Sequence, residues 1–106
     1  MIDITVFTKK NEYIGIVSKG HAGYAEEGLD IVCSATSALM INTVNAVEVF
    51  TNDKFTCNQM DGYLEFRLTN GISESSELLM KVLVMGLTNI QENYDNKYIK
   101  IKFEEV

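Results

Sequence analysis

The sequence predicts an α/β (α+β) fold in which two helices pack on a five-stranded mixed sheet, in the element order ββαββαβ. Several short segments alternate apolar and other residues, a pattern typical of half-buried strands, and two longer segments repeat apolar residues at helical spacing. No linker, repeat or low-complexity tract divides them. Since two helices cannot cover both faces of five strands, we expect a two-layer sandwich whose other sheet face is partly polar or used for association.

The chain opens with two predicted strands. Residues 2–8 alternate isoleucine and valine with other side chains, and residues 12–19 form a second apolar-rich segment. The polar stretch 9–11 between them is typical of a turn. The two strands are therefore expected to pair as a hairpin.

The segment from about Asp30 to Phe50 is predicted as a helix that is apolar on nearly all sides. Its β-branched and asparagine residues lower its intrinsic helix propensity, so packing must stabilise it. We expect it to be the buried central helix. Asp30 is the predicted N-cap, because its carboxylate can accept hydrogen bonds from the first backbone N–H groups.

A second hairpin and a second helix follow. Residues 54–58 and 63–68 are predicted strands, joined at the tight turn Asp61-Gly62. Ser73 is expected to cap an amphipathic helix, with two glutamates in its first turn. Residues 98–106 alternate again and are expected to close the sheet.

Length and charge limit the classes of protein. A chain of 106 residues is expected to be a single domain, residues 1–106. Its net charge of −6 argues against direct binding to nucleic acid, whereas a basic peptide would be attracted. No positive, apolar leader and no run approaching roughly 18 uninterrupted apolar residues is present, so we expect a cytoplasmic protein outside the membrane.

The chemistry centres on residues 20–37, which run from the only histidine, His21, through a glycine-punctuated loop to Cys33. A thiol at a helix N-terminus is favoured as thiolate by the helix dipole and by unpaired N–H groups. An imidazole within hydrogen-bond reach can take its proton, because its ordinary pKa is near neutral. Cys33 and His21 are therefore candidates for nucleophile and base, although a lone cysteine on an apolar helix is more often a buried hydrophobe.

The stretches Gly20-His21-Ala22-Gly23-Tyr24 and Gly28-Leu29-Asp30-Ile31-Val32-Cys33-Ser34-Ala35, followed by Ser37, resemble the signature of the bacterial ribosomal-processing cysteine protease (Prp) family. The resemblance implies a small mixed α/β domain that forms a homodimer. It also implies a cysteine endopeptidase that removes the N-terminal extension of a large-subunit ribosomal protein, cutting after aromatic residues. Cys33 would be the nucleophile, and His21 the general base and acid.

Other residues of this stretch have open roles. Asp30 either orients His21 or is an ordinary N-cap, and Ser37 bonds either the imidazole or the carbonyl four residues before it. The amides near Cys33 and Ser34 are the expected oxyanion donors. The loop expected to contact the substrate includes Gly20, Gly23, Tyr24 and Gly28.

No cofactor is expected. The chain has two cysteines and one histidine in no metal-ligand spacing, so we predict no metal site. Cys57, in the middle of a predicted strand, is expected to be an inert buried thiol, and the methionines are expected to fill the core.

Two rival functions stay open from the residues alone. The first is a non-catalytic, ribosome-associated protein-binding module whose loop docks a partner while Cys33 only packs. The second is a cysteine hydrolase of another type, acting on a thioester or a different amide. Replacing Cys33 with serine separates the first rival from a protease, because only the protease should lose turnover.

Overall fold

Seven elements follow one another in the predicted order ββαββαβ. The computed structural model describes residues 1–20 and 27–106. Their bounds are β1 Ile2–Lys9, β2 Glu12–Lys19, α1 Glu27–Phe50, β3 Phe55–Met60, β4 Tyr63–Leu68, α2 Glu74–Asn93 and β5 Ile99–Glu105. The predicted element order and fold class are thus confirmed.

The five strands form one mixed sheet with the order β3-β4-β2-β1-β5. β1 pairs with β5 in parallel, and the other three pairings are antiparallel. One sheet face supplies most strand residues of the core, because every second side chain points to the same side. Its buried members are Ile2, Ile4, Val6, Ile16, Leu64, Phe66, Leu68 and Ile99.

Helix α1 is buried along one stripe only. Val32, Met40 and Val47 are fully buried, whereas Val49 is 69% and Phe50 75% exposed. The expectation of a buried central helix was wrong for its outer side, because within the described residues the two-layer fold covers α1 only with the sheet and α2. By length and composition alone, its segment Ile31–Phe50 could also cross a membrane, with 28% of the window buried within the fold.

Helix α2 packs against α1 and the sheet. A Cβ on Gly86 would lie 3.0 Å from Leu39 Cδ1, so the missing side chain permits this close helix approach. Ser73 is the N-cap, since its hydroxyl accepts a hydrogen bond from the Ser76 amide at 3.2 Å. The Asp53 carboxylate accepts from the Ser73 hydroxyl and amide, and these bonds hold the pKa of Asp53 below its usual value. This network joins the start of α2 to the segment after α1.

The other sheet face carries no helix within the described residues and is partly polar, as predicted. Its apolar centre is Phe7, whose ring lies under the Arg67 guanidinium at 4.0 Å. Arg67 also contacts Glu65 at 2.7 Å, and this bond lowers the pKa of the Glu65 carboxyl. Arg67 therefore shields Phe7 from water while its own charge stays solvated and paired.

The burial predicted for Cys57 and for two of the methionines was wrong. Cys57 is exposed rather than buried, because β3 is the end strand of the sheet and α1 does not cover it. Met60 and Met85 are 66% and 59% exposed, so only Met40 and Met80 fill the core as expected. Desolvation of its sulfur still raises the pKa of Cys57.

Replacing Gly20 with alanine should destabilise the fold. A Cβ at this position would lie 2.5 Å from the Met1 carbonyl oxygen and 2.7 Å from Ile2 Cα, and its φ is +148°. We expect a loss of roughly 2 kcal/mol or more in the free energy of unfolding, measured by urea denaturation.

Gly71→Ala is the matched control, since Gly71 also has a positive φ of +80° but no atom within 4 Å of its Cβ position. It should cost only the backbone strain, on the order of 1 kcal/mol. Equal decreases in the free energy of unfolding at the two positions would show that the close approach to Ile2 does not affect stability.

Candidate active site

A cleft of about 490 Å³ lies between the first half of α1 and the turn of the β3–β4 hairpin. Strand ends form its floor, because β2 lies next to β4 in the sheet and β1 lies next to β2. The residues that line it are Ile2, Ser18, Gly20, Cys33, Thr36, Ser37, Met40, Ile41, Gln59, Met60, Asp61, Gly62, Tyr63 and Leu64.

Cys33 is half-buried on the α1 wall of this cleft and forms no disulfide. Its neighbours Thr36, Ser37 and Met40 follow it at helical spacing and line the same wall. The sulfur can therefore meet a ligand in the cleft. The rest of the side chain packs against the hydrophobic core.

The start of α1 corrects the sequence prediction. The helix begins at Glu27, so Asp30 is its fourth residue and not its N-cap. Cys33 lies six residues beyond the start, almost two turns into the helix. Since the dipole effect fades within the first turn, it stabilises a Cys33 thiolate little in this conformation.

The expected oxyanion donors are corrected for the same reason. Inside an α-helix, each amide donates to the carbonyl four residues earlier, so the amides of Cys33 and Ser34 are committed to the helix. Ser34 is exposed and is not among the cleft residues. In this conformation, donors for a reacting carbonyl oxygen must come from other cleft groups.

The remaining candidates divide into three groups. Gly20 and Ser37 line the cleft with Cys33, and Ser37 is exposed. Gly28 lies within the backbone of α1. His21, Gly23 and Tyr24 lie outside the described residues.

Gly20 connects the sheet to the cleft. It follows the last residue of β2, and its amide donates to the Gly62 carbonyl at 2.9 Å. This bond ties the end of β2 to the hairpin turn that forms the opposite wall. The residue that precedes His21 is thereby fixed at the cleft.

Sequence reasoning missed the hairpin wall and Thr36. The turn Asp61-Gly62 and the flanking Met60 and Tyr63 were predicted only as a hairpin, since no local pattern shows that β4 pairs with β2. Thr36 is buried and its hydroxyl makes no hydrogen bond with the described residues. The available signal was a threonine among the apolar residues of this helix, because a buried hydroxyl usually has a hydrogen-bond partner.

A second hollow of about 170 Å³ continues along α1 toward the middle of β3. Ile41, Gln59 and Leu64 line both hollows. The second hollow adds Val44, Asn45 and Cys57. Together they form a trough beside α1 that is apolar along much of its base.

Comparison with known proteins gives concordant results. A profile of the family described as cysteine protease Prp matches residues 1–100. The ribosomal processing cysteine protease Prp of Staphylococcus aureus is 29% identical over 105 residues, which are 97% of each chain.

Two crystal structures of the protein from S. aureus share this fold. Its complex with a substrate peptide superimposes with a TM-score of 0.90 at 25% identity, covering 98% of this chain and 100% of that chain. Its complex with a covalently linked product peptide has a TM-score of 0.87 at 26% identity and the same coverage.

Replacing Thr36 with valine should leave the fold intact and stabilise it by about 1 kcal/mol. The change removes a buried hydroxyl that lacks a partner and keeps the side-chain shape. Urea denaturation without added peptide measures the effect. Thr43→Val is the matched control and should destabilise, because the Thr43 hydroxyl donates to the Leu39 carbonyl at 2.8 Å. A loss of stability in Thr36→Val would mean that this hydroxyl is satisfied in solution.

Proposed function

We propose that Cys33 is the nucleophile of a peptidase site, because the chain belongs to the cysteine protease Prp family. Family membership makes the protein a cysteine protease of the ribosomal-processing kind. The observation that carries the residue assignment is the position of Cys33 on the wall of the cleft between α1 and the β3–β4 hairpin. Cys57 lies beyond this cleft, on the end strand of the sheet.

The proposed reaction has two steps. The Cys33 sulfur attacks the scissile carbonyl carbon while His21 takes the thiol proton, and His21 then gives that proton to the leaving amine as the C–N bond breaks. Water, deprotonated by His21, attacks the resulting thioester and releases the acid product and the thiol. The role of His21 rests on the family signature and on Gly20, the preceding residue, which lines the cleft.

A covalent step of this kind agrees with what is known of a relative. The S. aureus Prp structure holds a covalently linked product peptide. It matches 98% of the present chain. An acyl-enzyme requires a nucleophilic side chain open to the peptide. In this chain Cys33 meets that requirement, because its half-buried side chain faces the cleft.

The substrate we propose is the N-terminal extension of a bacterial large-subunit ribosomal protein, cut after aromatic residues. Met40, Ile41 and Leu64 give the cleft an apolar base on which an aromatic side chain can pack. The net charge of −6 favours the approach of a basic ribosomal protein. The same charge disfavours direct contact with ribosomal RNA, so we propose that the peptide alone is recognised, in the cytoplasm.

A homodimer is proposed as the working form. Val49, Leu78, Val82 and Met85 are apolar, more than half exposed and located on the outer sides of the two helices. Helical spacing places the three α2 members on one face. An exposed apolar surface of this kind is typical of a protein contact site, and burying it against a second copy would remove it from water.

The cleavage assay tests the enzyme and its residues together. Wild-type protein should cut a peptide from the N-terminal segment of the host's own large-subunit protein at one bond, read by mass spectrometry. Cys33→Ala and His21→Ala should each lower turnover by roughly a thousandfold or more, because each removes a reacting group.

Cys57→Ala is the matched control: it removes the other thiol but no reacting group and no backbone group of β3, so its turnover should stay far above that of Cys33→Ala. Activity that survives in Cys33→Ala would refute the assigned nucleophile. Binding of the peptide without cleavage by folded wild-type protein would favour the non-catalytic binding module instead.

The proposed dimer contact is tested by Val82→Lys. A lysine at this position should convert a dimer to a monomer in sedimentation velocity at micromolar concentration, because it places a charge in the apolar contact. Val106→Lys is the control, since Val106 is 58% exposed but follows β5 and lies on neither helix. A dimer that withstands Val82→Lys would place the contact elsewhere.

A further inference from the structure

The two edges of the sheet differ in their protection. The edge strand β5, Ile99–Glu105, carries two lysines and two glutamates, which discourage pairing with another strand. The other edge strand, β3, has the sequence Phe-Thr-Cys-Asn-Gln-Met, without charge or proline. Every residue from Thr56 to Met60 is exposed. An edge of this kind is a template for an added strand.

The register shows which backbone groups of β3 point outward. The Thr69 amide donates to the Lys54 carbonyl at 3.0 Å, which sets the hydrogen-bonded pairs of the β3–β4 ladder. Alternation then makes Asn58 and Glu65 a hydrogen-bonded pair as well. The amides and carbonyls of Cys57 and Gln59 consequently face away from β4. No strand in the described part of the chain pairs with them.

This outward edge is continuous with the candidate active site. The hollow beside Cys57 and Gln59 shares Gln59, Ile41 and Leu64 with the cleft that contains Cys33. A ligand extended along β3 therefore lies in the same trough as the thiol. The opposite edge, β5, is separated from β3 by the three central strands.

We propose that the substrate peptide binds as a sixth strand on the outer edge of β3, with its backbone paired to Cys57 and Gln59. This inference rests on the proposed function, since it names the binding mode of the substrate of that site. Strand addition supplies affinity through main-chain hydrogen bonds and leaves specificity to alternate side chains. Every second side chain of the peptide would face Ile41 and Val44 in the trough.

The peptide is a better occupant of this edge than a second copy of the chain. The part of a peptide that extends beyond the cleft continues directly onto β3. A second copy of the chain paired there would occupy the trough and block Cys33. The exposed apolar residues of α2 already give a second copy a separate surface. A strand on β3 and a partner on α2 can thus be present together.

A backbone scan of the peptide tests this binding mode. Each amide of the peptide is N-methylated in turn, and its affinity for the Cys33→Ala protein is measured by calorimetry. One lost hydrogen bond is expected to weaken binding about fivefold to tenfold, at every second position only. The period of two is the signature of a paired strand, because alternate amides face the partner.

Two variants of the protein test the β3 edge directly. Gln59→Pro removes an outward amide and should be tolerated on an edge strand, whereas Gln59→Ala removes only the side chain. We expect the KM for the full peptide to rise several-fold more in Gln59→Pro than in Gln59→Ala. Circular dichroism checks that both variants are folded.

The outcomes separate this inference from the proposed function. A peptide that is cleaved normally but shows no alternation in the scan overturns strand addition and leaves the protease intact. A peptide that neither binds nor is cleaved overturns both. A Gln59→Pro variant that becomes monomeric with an unchanged KM would show that β3 pairs with a second copy instead.

Discussion

The close approach of backbones at Gly20 is the constraint on which the site depends. There the end of β2 meets the first residues of β1, with no room for a side chain, and bonds the turn of the second hairpin. Three parts of the sheet are thereby held at one point, next to the α1 residues that carry Cys33. The cleft follows from this arrangement, since one of its walls is the hairpin turn and the other is the helix.

The fold was predictable because each element has its own local pattern. The alternation in β1 and the helical stripe of α2 depend on neighbours within a few residues, and the Ser73 cap is a local signal. The pairing of β2 with β4 depends on residues about fifty positions apart. The burial of Cys57 was mispredicted for this reason: its strand pattern says nothing of whether β3 lies in the middle of the sheet or at its end.

The site was predicted in part, from a short signature around Cys33. That signature directed attention to α1, on which Cys33 lines the cleft. It did not show Thr36, or the hairpin turn that the strand order brings to the cleft. The helix α1 begins at Glu27, whereas a thiolate at Cys33 would be favoured by a helix that begins next to it. A cysteine two turns inside a helix needs its thiolate stabilised by groups brought to it, such as an imidazole and the donors that accompany a bound peptide.

The two thiols of the chain lie in different environments along one trough. Cys57 has a raised pKa at the sheet edge, so little of it is thiolate at neutral pH, although its side chain is exposed. Electrophilic compounds react with thiolates, and exposure alone does not make a cysteine their target. A covalent inhibitor that is anchored on the apolar base of the trough could therefore carry its reactive group toward Cys33 and pass Cys57 unmodified. Selectivity between the two cysteines would come from the raised pKa of Cys57 and from the direction of the reactive group rather than from access.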